Sequence, residues 1–182
     1  MISSPALVPG RSQGLAAAAG GWGCVVAGGA TRVHSVWNAL QAVAGTPDLV
    51  AVHDAARPFV EPQVVQRALA AAAACGGALV ATRVVPTLKS VSDDLRVVAT
   101  VDREHVWAAA TPQVFRFPDF LQAYRLFWDQ HGDPTGITDD CSIFERSGGT
   151  IQIVDGNPEN IKITTPFDWR VATMLAAAEQ AQ

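Results

Sequence analysis

The chain has 182 residues, 49% hydrophobic and 16% charged, which suits one domain with a sizeable core and excludes general disorder. Lys and Arg number 13 against 17 Asp and Glu, and the net charge of -4 argues against a dominant nucleic-acid or anionic-membrane surface. Any bound phosphate must therefore be met by a few local cations.

Cys24, Cys75 and Cys141 are odd in number, far apart and lack metal-ligand spacing. They read as reduced, buried thiols of a cytoplasmic protein. The first ten residues lack the basic start and apolar core of a secretory signal, and no apolar run reaches the roughly 18 residues of a membrane span. A soluble protein is expected.

Residues 1–23, rich in Ala, Gly and Ser, read as a weakly ordered lead-in with one helix-capable stretch at 15–19, ahead of a single domain over 24–182. The apolar run 24–27 ends at Gly28-Gly29, and 32–44 then carries Val33, Val36, Leu40 and Val43 at helical spacing: strand, turn, helix. A second apolar run, 49–52, is closed by His53-Asp54 and followed by an Ala-rich amphipathic helix over 61–75; 78–85 repeats the strand pattern. Short apolar runs alternating with helices predict an α/β, Rossmann-like, mostly parallel sheet covered on both faces, with ligands beyond the carboxyl ends of the strands.

From Pro86 the rhythm changes. Segments 88–91 and 97–101 flank the turn-rich Ser92-Asp93-Asp94 with no room for a helix, which predicts a β-hairpin protruding from the sheet, in an arm over about 86–111. A corner is expected at Thr111-Pro112-Gln113. Helices follow over 118–130 and 138–146, the second capped by Thr138 or the residue before it; then come a strand at 150–154 and a closing helix with Pro166 at its first position. There is no internal repeat and no domain linker.

The segment Val52-His53-Asp54-Ala55-Ala56-Arg57-Pro58 puts a carboxylate at the end of a buried strand, where it must be paired or bind something. An internal Asp54–Arg57 ion pair is the plainer alternative, and His53 reads as a packed core histidine. Gly28-Gly29-Ala30-Thr31-Arg32 joins a strand to a helix start, so its free N–H groups can face an anion or a base edge, or form an ordinary turn. Arg103, in Val101-Asp102-Arg103, and Lys162, in Ile161-Lys162-Ile163-Thr164, are phosphate-binding residue types, although each alone reads as a solvated charge.

Taken in order, Gly28-Gly29-x-x-Arg32-x-x-Ser35, the His53-Asp54 segment, Val101-Asp102-Arg103, Thr111-Pro112-Gln113, Thr138-Asp139-Asp140 and Asn160-Ile161-Lys162-Ile163-Thr164 resemble the motif series of the methylerythritol phosphate cytidylyltransferases. The likeness runs from Cys24 to about Met174. It implies an enzyme of isoprenoid precursor synthesis that joins the phosphate of methylerythritol phosphate to the α-phosphorus of CTP with Mg²⁺ present, as a homodimer whose arms swap. It also implies roles for residues. Gly28, Gly29, Ala30, Arg32 and Ser35 would bind the nucleotide. Asp54 would lie at the metal and the polyol hydroxyls with Arg57 beside it, and Thr111 and Thr138 would contact the polyol phosphate. Lys162 would hold the attacking phosphate, while Thr87 and Arg103 would reach the partner subunit's site.

Two departures accompany the likeness. A position often acidic in the family is Ala30 here. The family's opening strand and Gly-rich loop, Ala-Ala-Gly-x-Gly-x-Arg followed by Pro-Lys, has no counterpart; the residues before Gly28 hold no lysine and one arginine, Arg11, and Ala18-Ala19-Gly20-Gly21-Trp22-Gly23 lacks the following Pro-Lys. The expected fold is thus truncated at its N-terminus, and two further readings stand beside the first: a non-catalytic binding or dimerising module, and a ribitol-phosphate cytidylyltransferase. Methylerythritol phosphate is the expected substrate because nothing extends beyond the closing helix.

Overall fold

A computed structural model of the protein describes residues 25–130 and 132–180. The expected helical stretch at 15–19 and the first residue of the expected strand at 24–27 lie outside them. Residues 25–29 run as irregular backbone, not as a strand, with no strand of the described residues beside them; Val25 is exposed, and the Ala27 carbonyl accepts from the Asn38 side chain at 3.2 Å. An apolar run becomes a strand only where a neighbour supplies a ladder.

The described elements follow in order as helix α1 (Arg32–Gln41), strand β1 (Leu49–Val52), helix α2 (Pro62–Cys75), strands β2 (Gly77–Arg83), β3 (Lys89–Val91), β4 (Val97–Thr100) and β5 (Trp107–Arg116), helices α3 (Phe117–Gln130) and α4 (Asp140–Arg146), strand β6 (Ile151–Asp155) and helix α5 (Pro166–Gln180). The main sheet has the order β1-β5-β2-β6. Strands β1, β2 and β6 run in one direction, and β5 runs against its neighbours β1 and β2. The carboxyl ends of β1 and β6 therefore open on the same side.

Alternation along β5 divides the core between the two faces of the sheet. Phe115 packs with Val33, Val36, Leu40, Phe120, Tyr124 and Phe144 on the α1, α3 and α4 side. Val114 packs with Val64, Ala68, Ala72, Ala78 and Val80 on the α2 side. Alanines at 68 and 72 let α2 lie close to the strands. Helix α2 ends at Gly76, whose φ of 106° turns the chain directly into β2.

Two sequence expectations are corrected here. Thr111-Pro112-Gln113 is not a corner but lies inside β5, with a cis Thr111–Pro112 peptide. Proline has no N–H to give a ladder, and the β2–β5 register shifts between Leu79 and Ala81, opposite this stretch. The end of the expected arm, residues 107–111, therefore belongs to the main sheet. The cap of α4 is Asp139, not Thr138: the Asp139 carboxylate accepts from the Ser142 N–H at 3.0 Å. The hairpin β3–β4 forms its own two-stranded sheet, and every residue in its strands is exposed.

Candidate active site

Beyond β1, the carboxylate of Asp54 faces two cations delivered by different parts of the chain. Lys162 Nζ stands 3.0 Å from Asp54 Oδ2, and Arg57 Nε stands 3.5 Å from the same atom. Burial alone would raise the Asp54 pKa. The hydrogen bond and charge of Lys162, then the charges of Arg32 and Arg57, outweigh it and hold the group below the usual carboxylate range. Asp54 is thus ionised at neutral pH.

Thr111, buried in β5, fixes this cluster from below. Its hydroxyl oxygen accepts from the Asp54 N–H at 3.0 Å and lies 3.0 Å from His53 Nδ1. His53 Nε2 sits 2.9 Å from the Arg57 carbonyl, which can only accept, so Nε2 carries a proton and donates it there. Asn160, also buried, donates from its side-chain amide to the Thr111 carbonyl at 2.9 Å, while its main-chain carbonyl accepts from Arg57 Nη1 at 2.8 Å. The Ile163 N–H adds a bond to the Ala56 carbonyl at 2.9 Å. The loop after β6 is thereby tied to the loop after β1, and Lys162 reaches Asp54.

The turn before α1 is ordered from within. Ser35 Oγ accepts from the Gly29 N–H and donates to the Thr31 carbonyl, both at 3.0 Å, and Thr31 caps the helix. A Cβ on Gly29 would stand 2.2 Å from His34 Cβ, so only glycine fits there. Gly28 precedes it, and Ala30 is exposed. Arg32 Nη2 pairs with Asp140 Oδ2 at 2.6 Å. Burial opposes the Arg32 charge, but Asp140 more than restores it and the guanidinium pKa is raised.

The structure thus joins Asp54, Arg57, Thr111 and Lys162 into one cluster and shapes the turn of Gly28, Gly29, Ala30, Arg32 and Ser35 beside α1. Thr138 is exposed immediately before the α4 cap. Thr87 and Arg103 are exposed on either side of the hairpin and make no ion pair or side-chain hydrogen bond with the Asp54 cluster. Sequence reasoning passed over Gln113, Asp139, Asp140, Tyr124 and Asn160 as site residues and read His53 as mere packing. Gln113, Asp139, Asp140 and Asn160 all lie in the quoted motifs, so the motifs themselves were the available signal; for Tyr124 the sequence offered none.

Three of the four strands of the main sheet run one way with β5 against them, a hairpin protrudes, and an ionised carboxylate lies between two cations at the strand ends: a Rossmann-like fold with a charged cluster at its carboxyl edge. Residues 10–177 match the family described as IspD, 2-C-methyl-D-erythritol 4-phosphate cytidylyltransferase. The chain belongs to that family.

Among its relatives, a 2-C-methyl-D-erythritol 4-phosphate cytidylyltransferase of Symbiobacterium thermophilum is 45% identical over 158 residues, 87% of this chain and 66% of that protein. A bifunctional enzyme IspD/IspF of Rhodopseudomonas palustris is 44% identical over 84% of this chain and 38% of its own. The crystal structure of the cytidylyltransferase from Thermus thermophilus superposes with a TM-score of 0.79 at 31% identity, covering 96% of this chain and 79% of that one. The chain spans 66% and 65% of the length of two curated single-function relatives it matches.

Proposed function

We propose that the protein joins CTP and 2-C-methyl-D-erythritol 4-phosphate to give CDP-methylerythritol and pyrophosphate in isoprenoid precursor synthesis. The observation that carries this reading is the Asp54–Lys162–Arg57 cluster, assembled from two separated motifs of the family at the carboxyl ends of β1 and β6.

In this reaction a phosphate oxygen of the polyol attacks the α-phosphorus of CTP and the bond to pyrophosphate breaks. Catalysis then consists mainly of positioning and of stabilising charge on the transferring group. Lys162, half exposed beside Asp54, offers a fixed cation for the incoming phosphate. The turn at Gly28, Gly29 and Ala30 offers backbone groups to the cytosine, and its geometry is held by Ser35 and Arg32. Thr111 and Thr138 serve the polyol phosphate.

Among the described residues no group of three His, Cys, Asp or Glu gathers to hold a metal. Mg²⁺ needs no such group, since it takes one or two carboxylates and completes its shell with water and substrate phosphates. Asp54, kept ionised by its cations, is the carboxylate that would hold it, and the ion would neutralise charge on the phosphates.

The same reading makes the protein a cytoplasmic homodimer. No described helix is long and apolar enough to cross a membrane. The hairpin exposes Val91, Val97 and Val98, and Arg103 and Thr87 at its base are free to enter the partner subunit's site.

The test is pyrophosphate release by the purified chain with CTP, Mg²⁺ and methylerythritol phosphate, with ribitol phosphate in parallel. Turnover with methylerythritol phosphate and loss of it in Lys162→Ala are expected. Near-normal turnover in Lys162→Ala would remove the proposed site, and preference for ribitol phosphate would change the substrate.

A further inference from the structure

We propose that Gln113 and Asp140 are positioning residues that hold the nucleotide turn and the polyol loop in one fixed relation, Asp140 through Arg32 and Gln113 through Asp139. The inference rests on the cytidylyltransferase reading of the site and adds a means by which its two halves are set together.

Asp140 is fully buried at the start of α4. A carboxylate withdrawn from water is costly unless each oxygen is engaged. Asp140 Oδ2 is ion-paired with Arg32 Nη2 at 2.6 Å, and Oδ1 accepts the hydrogen bond of the Tyr124 hydroxyl at 2.6 Å. Arg32 is the first residue of α1, directly after the turn formed by Gly28, Gly29, Ala30 and Thr31. The ion pair therefore fixes where that turn stands relative to α4.

Gln113 supplies the other half. It is 2% exposed, and its Oε1 accepts from the N–H groups of Asp140 at 3.0 Å and Cys141 at 3.2 Å. Two backbone donors demand the oxygen there, so the amide nitrogen must point away, and it donates to Asp139 Oδ2 at 3.0 Å. The other oxygen of Asp139 accepts from the Ser142 N–H and hydroxyl. Asp139 is thus held from both sides, and with it the backbone of Thr138.

Gln113 lies two residues along β5 from Thr111, whose hydroxyl and carbonyl hold Asp54 and Asn160. One strand thereby anchors the phosphate cluster and the polyol loop, and the Asp140–Arg32 pair extends the same network to the nucleotide turn. A pair needed only for stability could be replaced by packed apolar side chains at little cost. Here each member instead ends on a loop that the function requires in place.

The experiment compares the 182-residue chain with Asp140→Asn, Arg32→Gln, Gln113→Glu and the double variant Gln113→Glu/Asp139→Asn. Local order is read by amide hydrogen exchange, and affinities for CTP and methylerythritol phosphate by calorimetry. Asp140→Asn and Arg32→Gln are each expected to speed exchange over 28–35 while leaving 77–83 unchanged, and to weaken CTP by tenfold to about 100-fold, the scale of a small misplacement. Gln113→Glu sets two carboxylates against each other; it should speed exchange over 138–142 and weaken methylerythritol phosphate more than CTP. Adding Asp139→Asn restores a donor to that contact with its direction reversed and should recover both readouts.

Unchanged exchange over 28–35 in folded Arg32→Gln, or a uniform rise along the whole chain, would overturn the proposal. So would failure of the double variant to recover. Should Arg32→Gln not fold, because it leaves the buried Asp140 unpaired, Asp140→Asn decides by the same readouts, since the charge it strands on Arg32 is partly exposed. A parent chain that binds no CTP but shows the expected exchange pattern would defeat the cytidylyltransferase reading and leave the positioning network standing. Unaltered CTP affinity in both Asp140→Asn and Arg32→Gln would do the reverse.

Discussion

At Asp54 the cations Lys162, Arg32 and Arg57 together prevail over burial, and Lys162 is the largest of their contributions. Replacing Lys162 with Met removes both a hydrogen bond and a charge from the carboxylate, so the Asp54 pKa should rise toward the usual range. A carboxyl-carbon NMR titration of the variant against the parent measures it, and an unmoved value would mean that the two side chains are not paired in solution. Thr111 offers a sharper test because it is buried and both its hydroxyl and its carbonyl are engaged. Thr111→Val keeps the shape but leaves the Asp54 N–H without its acceptor, a loss of about 1–3 kcal/mol in stability by denaturant unfolding. Turnover should fall further than stability alone explains, since Asp54 itself is displaced. The sequence made Asp54, Arg57 and Lys162 legible as charges at element ends. It could not show that Thr111 and Asn160 tie them together, because those bonds span 57 and 49 residues of chain.

Element by element, periodicity located the helices and most strands within a few residues: 49–52 is β1 without adjustment, and Pro166 does open α5. Strand β5 was missed, and the described residues of the strand expected at 24–27 are irregular backbone. The run of alanines and the proline of β5 are poor local strand signals, and only the ladders given by β1 and β2 make it a strand. The turn before α1 shows how tightly an element can constrain a site: Gly29→Ala would press a methyl group into the His34 side chain. The turn must then shift, and CTP affinity measured by calorimetry should drop by at least about tenfold while the thermal transition moves little. Helix α5 has a pH-dependent start. Thr165 and Asp168 cap each other, the Asp168 carboxylate accepting from the Thr164 and Thr165 N–H groups, and these bonds depress its pKa to about 2. A depressed acid stabilises the fold above its ordinary value of 3.8, and that contribution disappears as pH falls toward 2. Exchange of the first-turn amides of α5 should accordingly speed up between those values, and in Asp168→Ala it should already be fast at neutral pH.

For the whole molecule, the sequence separated a doubly covered sheet from an excursion beyond Pro86, because apolar runs too close for a crossover must pair with each other. What it could not supply was a surface for the excursion to rest on, and the structure finds none among the described residues: Val91, Leu95, Val97 and Val98 are all more than half exposed. Val91 and Val97 are register partners and so project from the same face of the hairpin. Four large apolar side chains on an isolated two-stranded sheet are costly in water, and such a hairpin is marginal alone. Both costs are removed if a second subunit covers the arm, which would also carry Arg103 toward that subunit's Lys162 and Asp54. The arm should therefore be a determinant of assembly and of activity at once. Val91→Asp combined with Val97→Asp places two like charges on the covered face, directly opposite each other. Sedimentation is expected to show a dimer for the parent and a monomer for this variant, with secondary structure retained by circular dichroism. Arg103→Ala should leave the dimer intact and abolish turnover, and mixing it with Lys162→Ala should restore about a quarter to a half of the activity per dimer if each site draws Arg103 from the opposite chain. Mixed variants that stay inactive would place Arg103 in its own subunit's site and remove the arm from the chemistry.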